Sequence, residues 1–315
     1  MRDTRPLAVA LMGPTASGKT ALAVDWCERL DTEVVSVDSA LVYRGLDIGA
    51  AKPDAATLAR APHHLVDVRD PHEVFSAADF AREALPPMQR LAEQGRVPLL
   101  VGGTGLYFSA LLDGLSDLPE ADPGLRARIA AEAGERGWPA LHAELAAIDP
   151  AAGQRIKPGD SQRITRALEV WRLTGRAISD WQQARARRVF PFRVLRLVLA
   201  PADRAVLHAR IEARFDQMLG QGFLDEVRRL RSDPRLNPDL PSMRAVGYRQ
   251  AWAHLEGRTD AATFRAQAIA ATRQLAKRQL TWLRARSEAL WVDPQTERAL
   301  ADQRLAAFLA RPAGR

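Results

Sequence analysis

The stretch that most constrains the fold is a glycine-rich loop between an apolar run and a helical segment. Leu7–Met12 is apolar, Gly13-Pro14-Thr15-Ala16-Ser17-Gly18-Lys19-Thr20 follows it, and helical spacing then continues to about Leu30. The octapeptide fits G-x-x-x-x-G-K-[ST] in the strand–loop–helix context that this pattern requires. Its backbone N–H groups, the helix N-terminus and Lys19 would bind a phosphate chain, and the Thr20 hydroxyl could reach Mg²⁺. The motif predicts a phosphate site but does not say which molecule carries the phosphate.

The first hundred residues alternate between strand-like and helical segments. Runs at Glu33–Val37, His64–Val68 and Val97–Val101 predict strands, and Ser76–Glu93 has helical spacing. This alternation is typical of βαβ units, in which helices cover both faces of a parallel sheet.

The pattern changes between residues 120 and 189, where short helical segments occur without a convincing strand. A strand returns at Val194–Ala200, a long helix is expected over Ala262–Arg286, and Leu290–Val292 could be an edge strand. We therefore predict an α/β fold: a P-loop NTPase-like parallel-sheet core of residues 1–119 and 190–315, with an all-helical insertion domain at 120–189.

Charge and cysteine content limit the functional classes. The net charge of +7 is a weak indication of a polyanionic partner. Cys27 is the only cysteine, so neither an intramolecular disulfide nor a cysteine-based zinc site can form. No apolar run is long enough to span a bilayer and the N-terminus has no apolar signal core, so we expect a cytoplasmic protein without a membrane partner.

Two residues at strand ends are candidates for chemistry. Asp38 closes the run that ends at Val37, at the edge where parallel sheets bind ligands, and could accept a proton; capping of the next turn is the alternative. Thr104 follows Gly102-Gly103 and could either cap a helix or bind substrate. The fourth strand ends without the carboxylate that usually holds Mg²⁺ in ATP-hydrolysing enzymes, yet a small-molecule kinase with Asp38 as its base remains an alternative.

Several blocks, in order, resemble the tRNA dimethylallyltransferase family over about residues 7 to 293. They are Gly13–Thr20, Val37–Tyr43, Asp47–Pro53, Pro62–Asp67, Val101–Tyr107, Gln162–Glu169, Met243–Gln250 and Thr272–Arg284. The resemblance implies transfer of a dimethylallyl group from its diphosphate to the exocyclic amine of the adenosine just 3′ of a tRNA anticodon. It further implies that Asp38 takes the proton, that Thr104 positions the base or the diphosphate, and that Lys19 and Mg²⁺ hold the leaving group. The implied partners are tRNA and dimethylallyl diphosphate, with a monomeric enzyme.

The resemblance also implies positions that contact tRNA. These are Asp38, Ser39, Ala40, Leu41, Thr104, Arg126, Gln162, Arg163, Ile164, Thr165, Arg166, Arg244, Ala245, Val246, Gly247, Tyr248, Arg249, Lys277, Arg278, Gln279, Leu280, Thr281, Trp282, Leu283 and Arg284.

Helical spacing in the last long helix puts Arg273, Lys277 and Arg284 on one face, with no acidic residue nearby in the sequence. An ordinary solvated face is the alternative to an RNA-binding one. Arg210 and Arg214, one turn apart, could reach the diphosphate or pair with neighbouring acids. A non-catalytic RNA-binding module would leave the loop and Asp38 without a purpose.

Overall fold

The computed structural model describes residues 3–116, 118–184 and 189–310. By their contacts they form two compact units, one of Met1–Asp113 with Phe190–Arg315 and one of Gly114–Val189. The second unit therefore begins before the boundary expected at residue 120. The first two and last five residues, Asp117, and Arg185–Arg188 lie outside the described residues, so the predicted domain limits at residues 1 and 315 are not described.

Six parallel strands form the sheet of the larger unit, in the order β3-β2-β4-β1-β5-β6. The strands are β1 Leu7–Met12, β2 Val34–Val37, β3 His63–His64, β4 Leu99–Gly102, β5 Arg193–Leu199 and β6 Leu290–Val292. The predicted α/β fold with a parallel sheet is confirmed, and the expected edge strand at Leu290–Val292 is present.

Helices follow the strands and also make up the second unit. Before it come α1 Lys19–Leu30, α2 Ala55–Arg60, α3 Ala77–Glu93 and α4 Gly105–Phe108, which continues as a π-helix over Ser109–Asp113. The second unit contains α5 Pro123–Arg136, α6 Trp138–Ile148, α7 Pro150–Arg155, α8 Ser161–Thr174 and α9 Ile178–Gln183. The larger unit resumes with α10 Arg204–Gly220, α11 Phe223–Arg231, α12 Tyr248–Leu255, α13 Ala261–Arg284 and α14 Arg298–Leu309.

Both faces of the sheet are buried. In β1, Ala8, Ala10 and Met12 belong to one hydrophobic cluster, whereas Val9 and Leu11 belong to another. Successive side chains of a strand point to opposite faces, so this division means that apolar layers cover the sheet on each side. The second unit has a separate hydrophobic cluster of its own.

The third predicted strand is largely wrong. It was expected over His64–Val68, but β3 pairs only at His63 and His64. Leu65 and Asp67 have φ values of 63° and 55°, in the left-handed region, which ends the extended conformation. Asp67 accepts a hydrogen bond from the buried ammonium of Lys52 at 2.5 Å, so the segment is held as an ordered loop instead.

The register of the three central strands brings their following loops to one level. Gly102 of β4 lies beside Met12 of β1 on one side and beside Val37 of β2 on the other. The next residues, Gly13, Asp38 and Gly103, therefore begin their loops side by side at the carboxyl edge of the sheet, where parallel sheets bind ligands.

A buried carboxylate on α11 holds the loop that follows β2. Glu226 is 2% exposed, and its oxygens accept hydrogen bonds from the backbone N–H groups of Asp47, Ile48 and Gly49 at 2.7 to 3.2 Å. The Tyr248 hydroxyl donates a fourth hydrogen bond at 2.6 Å. Three of these donors belong to the loop and the fourth, Tyr248, is the first residue of α12. Glu226 therefore links the loop to the start of α12.

Tyr248→Phe should lower the free energy of unfolding by about 1.5–3 kcal/mol, because it removes a hydrogen bond to a buried charged group. Tyr107→Phe is the matched control: this hydroxyl is also buried but donates to the neutral Phe75 carbonyl, so we expect a loss of about 1 kcal/mol. Urea denaturation of both variants measures the difference. Equal losses would contradict a special role for the Glu226 hydrogen bond.

Candidate active site

The phosphate loop joins the end of β1 to the start of α1. Gly18 precedes the helix with φ of 96°, a conformation that glycine adopts without steric cost. Ala16 also has positive φ, at 62°, which is unusual for a residue with a Cβ and is typical of functional loops. The first turn of α1 contains no acidic residue, so its free N–H groups and helix dipole are available to an anion.

Lys19 is folded back onto its own loop. Its ammonium donates to the Pro14 carbonyl at 2.6 Å and to the Ser17 hydroxyl at 3.3 Å. Burial lowers the pKa of Lys19 to about 7; the Asp38 carboxylate raises it and the Arg214 guanidinium lowers it further. The charged form of Lys19 is therefore unfavourable in the free loop, and a bound anion would stabilise it.

Asp38 and Thr104 lie in adjacent loops at the carboxyl edge. Asp38 Oδ1 accepts a hydrogen bond from Ala40 N at 2.8 Å, so the turn-capping role is present. Its other oxygen has no hydrogen-bond partner among the described residues. Thr104 does not cap α4 through its side chain; instead Oγ1 accepts from Ser39 N at 3.1 Å. Asp38 and Thr104 are therefore both held by backbone N–H groups of the same turn after β2, those of Ala40 and Ser39.

A cavity of about 450 Å³ opens beside the phosphate loop on the β5 side, away from Asp38 in the strand order. Arg210 and Arg214 both line it. The acids expected to compete for them are engaged elsewhere, since Glu212 and Asp216 pair with Arg265. Neither Arg210 nor Arg214 forms an ion pair with any described residue, whereas Arg298, the third arginine that lines the cavity, pairs with Asp25. The charges of Arg210 and Arg214 are therefore available to an anion.

The carboxyl-terminal part of α13 presents two kinds of side chain. Lys277, Arg278, Thr281 and Arg284 are exposed, and the three basic ones have no ion pair within the described ranges. Leu280 and Leu283 are 7% and 1% exposed and belong to the core. Their side chains are therefore part of the core and not of the exposed surface of this helix.

The predicted basic face of α13 is shorter than expected. Arg273, which helical spacing places on the same face, pairs with Glu212 of α10 at 3.0 Å. That acid is far away in the sequence, so nothing in the neighbouring residues indicates the pairing. Gln279 and Trp282 also turn inward: Gln279 hydrogen-bonds the loops of β1 and β4, and a Cβ on Gly105 would lie 2.5 Å from the Trp282 ring.

The predicted contact segment Arg244–Arg249, which runs into α12, is exposed only at its ends. Arg244 and Arg249 are exposed and have no ion pair in the described part of the chain, while Ala245 and Val246 are half-buried. Gly247 is buried, and Tyr248 is 1% exposed with its hydroxyl on Glu226. The Tyr248 side chain therefore packs in the core. In the loop after β2, Ser39 is exposed, and Ala40 and Leu41 are half-buried.

In the second unit, the predicted contact residues divide in the same way. Gln162 and Arg163 are exposed, Thr165 is half-buried, and Ile164 is fully buried in the core of the unit. Arg126 and Arg166 both pair with Glu169, at 2.8 and 2.6 Å, and Asp122 N donates to the same carboxylate. The Ile164 side chain therefore packs inside the unit, and the two arginines share one carboxylate, which partly neutralises their charge.

A magnesium ion at this site would find few protein ligands. Thr20 lies exposed in the first turn of α1, and the described residues contain no cluster of three or more His, Cys, Asp or Glu that could hold a metal. Mg²⁺ commonly keeps several waters and binds substrate phosphates with one or two protein oxygens. The Thr20 hydroxyl fits that mode of binding.

Sequence reasoning missed the roles of three residues that organise these surfaces: Glu169, Glu226 and Gln279, of which Gln279 was predicted only as a tRNA contact. Glu169 stands three residues after Arg166, a spacing that places both on one helix face and could have indicated the pair. Gln279 falls on the mostly apolar side of its helix by spacing, which could have indicated an inward amide. Glu226 has no local signal, because its partners are distant in the sequence.

Comparison with known proteins identifies the family. Residues 41–286 match the family "IPP transferase". The tRNA dimethylallyltransferase of Stenotrophomonas maltophilia is 61% identical over 314 residues, covering 98% of this chain and 99% of the relative. That of Xanthomonas axonopodis pv. citri is 60% identical over 319 residues, covering 99% of this chain and 98% of the relative.

Solved structures agree with this family. The tRNA isopentenylpyrophosphate transferase of Bacillus halodurans superposes with a TM-score of 0.70 at 38% identity, covering 97% of this chain and 96% of that one. A eukaryotic dimethylallyltransferase acting on tRNA shares the fold, with a TM-score of 0.80 at 21% identity over 98% of this chain and 81% of its own. No helix in residues 3–116, 118–184 or 189–310 is long and apolar enough to cross a bilayer. By its family match and its close relatives, this chain belongs to the IPP transferase family of tRNA dimethylallyltransferases.

Proposed function

We propose that this enzyme transfers a dimethylallyl group from dimethylallyl diphosphate to the exocyclic amine of the adenosine 3′-adjacent to the anticodon in tRNA, releasing diphosphate. The observation that carries the mechanism is the shared level of Gly13, Asp38 and Gly103 at the carboxyl edge of the sheet. An anion-binding loop lies beside a carboxylate and a hydroxyl, so donor and acceptor groups can meet there.

In the proposed reaction the allylic C–O bond breaks and its electron pair goes to the diphosphate oxygen. The amine nitrogen forms the new C–N bond and loses a proton, which Asp38 accepts. The adenine amine is a weak nucleophile because its lone pair is delocalised, so a nearby base is useful. Asp38 Oδ1 is held by Ala40 N and its second oxygen is available for this proton. Thr104, fixed by Ser39 N, orients the acceptor base or the diphosphate.

The leaving diphosphate would be held by the backbone of Gly13–Thr20, by Lys19 and by Arg214. These groups stabilise the negative charge that develops as the C–O bond breaks. Mg²⁺, held by Thr20 and phosphate oxygens, would neutralise part of the same charge when bound.

The tRNA-binding surface that we propose consists of the exposed members of the predicted set. In the larger unit they include Arg244, Arg249, Lys277, Arg278 and Arg284, which are exposed and unpaired among described residues. Cations without a protein partner bind phosphates at the least cost, since no ion pair has to break.

In the second unit, Gln162 and Arg163 are the exposed members, while Arg126 and Arg166 are paired with Glu169. The target adenosine has to leave its stack to reach Asp38, at a cost of a few kcal/mol that protein contacts must offset. We propose a monomeric, cytoplasmic enzyme, in keeping with a tRNA substrate.

Offering the purified protein unmodified tRNA with labelled dimethylallyl diphosphate, and in parallel ATP with small acceptors, tests the proposed activity. We expect prenylated tRNA and no phosphorylated acceptor. Phosphorylation without prenylation would instead identify a kinase that uses Asp38 as its base, and tRNA binding without either reaction would indicate a binding module.

Asp38→Asn should reduce kcat by roughly 10²- to 10⁴-fold while the Kd for tRNA stays within about 3-fold of the wild type. The amide keeps an oxygen for Ala40 N, so the turn survives while the base is lost. Asp31→Asn is the matched control: Asp31 is exposed at the other end of β2, with φ of 44°, where asparagine is equally accommodated. Equal losses of turnover and tRNA affinity in Asp38→Asn would make Asp38 a binding residue instead.

Binding of diphosphate should take up a proton at pH 8 but little or none at pH 6. The pKa of Lys19 is about 7 in the free protein, so at pH 8 its amine is mostly neutral, and bound diphosphate raises that pKa again. Calorimetry of magnesium diphosphate binding in buffers of different ionisation enthalpy measures the uptake. Lys19→Arg is the control because arginine stays charged, so subtracting it removes the protons that belong to diphosphate itself. The same uptake in both proteins would exclude Lys19 as the titrating group.

The double substitution Lys277→Ala/Arg278→Ala should weaken tRNA binding and flatten its salt dependence, by about 0.7 to 0.9 in the log–log slope for each RNA phosphate that is no longer neutralised. Arg235→Ala/Arg258→Ala removes two arginines whose charges are paired with Asp233 and Glu256. This control should leave the slope near the wild-type value. An unchanged slope in the first variant would show that this face does not bind the RNA backbone.

A further inference from the structure

Gln279 makes two hydrogen bonds that join the phosphate loop to the loop after β4. Its Oε1 accepts from Thr15 N at 2.9 Å, and its Nε2 donates to the Gly103 carbonyl at 3.1 Å. The amide oxygen of Gln279 therefore binds the phosphate loop, and its NH₂ group binds the loop that contains Thr104. No apolar side chain of similar shape could supply both hydrogen bonds.

The fit around this amide is close. A Cβ on Gly103 would lie 2.4 Å from Gln279 Nε2, so only glycine at this position lets the amide approach the backbone. Three residues further along α13, Trp282 packs on Gly105 in the same way and stacks near Phe108 with ring centroids 6.1 Å apart. Gly103 and Gly105, the residues on either side of Thr104, therefore both pack against the same face of α13.

The same helix carries the exposed cations. Lys277 and Arg278, the two residues before Gln279, face solvent, whereas the Gln279 amide faces the loops. An RNA phosphate held by those cations would lie within one helical turn of the amide that sets the spacing of the two loops.

We propose that Gln279 is a positioning residue of the transfer reaction, which fixes the phosphate loop against the Gly103–Thr104 turn so that the diphosphate and the acceptor amine meet at the correct distance. This inference rests on the proposed function. A displacement of about 1 Å between reacting groups can cost on the order of 100-fold in rate, so two hydrogen bonds that fix this spacing act on kcat. The role differs from that of Lys277 and Arg278, whose charge acts on tRNA affinity.

Gln279→Ala should lower kcat roughly 10- to 100-fold, while the KM for tRNA and the slope of tRNA affinity against salt stay near their wild-type values. Alanine has the higher helix propensity, so loss of α13 is not the expected cause. Gln267→Ala is the matched control, since Gln267 is an exposed glutamine on the same helix, and it should leave kcat unchanged. A wild-type kcat in Gln279→Ala, or a change confined to the KM for tRNA, would overturn the proposal.

A second measurement reads the Gln279–Thr15 hydrogen bond without turnover. Amide hydrogen exchange at Thr15 should become faster in Gln279→Ala than in the wild type and in Gln267→Ala, because the N–H loses its acceptor; unchanged exchange would overturn the proposal.

Gln279→Glu keeps the acceptor for Thr15 N but cannot donate to Gly103, and serves if the alanine variant does not fold. It should protect Thr15 yet still lower kcat, and a wild-type kcat would again overturn the proposal. If the wild-type protein itself does not prenylate tRNA, the proposed function fails, while Thr15 exchange still decides whether Gln279 holds the loop.

Discussion

The site depends on the register of three parallel strands. Because Gly102 of β4 lies level with both Met12 of β1 and Val37 of β2, the loops that follow start side by side. A shift of one residue in either pairing would turn the side chains of a fully buried strand to the wrong face. The hydrophobic layers on both faces therefore fix the register, and the register fixes which loop residues meet. Burial of apolar side chains far from the chemistry thus determines the relative positions of the phosphate loop, Asp38 and Thr104.

For the proposed tRNA-binding surface, the net charge of +7 is less informative than whether each individual cation has an acidic partner. Arg273 pairs with Glu212, and Arg126 and Arg166 share Glu169, so these guanidiniums carry a reduced charge toward an RNA backbone. Lys277 and Arg278 have no such partner among described residues, and their charge is fully available. Counting arginines in a sequence cannot separate the two groups, because the acid that pairs with Arg273 comes from α10 and the acid that pairs with Arg126 comes from α8.

The sequence was sufficient for those parts of the fold and the site that are local. The phosphate loop is contiguous, so its strand–loop–helix context could be recognised directly, and the ends of α13 were predicted to within about two residues. The third strand could not be predicted correctly, because its end depends on left-handed backbone at Leu65 and Asp67 and on a hydrogen bond from Lys52. Helical spacing could indicate that Gln279 faces inward but not what it binds, since its two partners lie more than 170 residues away along the chain.

Glu226 and Glu169 are buried carboxylates that each hold neighbouring groups through several hydrogen bonds, as Gln279 holds the two active-site loops. Glu226 binds the loop that follows β2 and the hydroxyl at the start of α12, and Glu169 holds two arginines of the second unit. Such an acid is costly to bury, and each is satisfied by several donors, so removing one partner leaves a charge that water cannot reach. Breaking a single hydrogen bond of Glu226 or Glu169 is therefore unfavourable, and the segments that they hold stay in place. An enzyme that must bring a nucleobase to a diphosphate gains from surfaces held in this way, because a small displacement of the reacting groups lowers the rate.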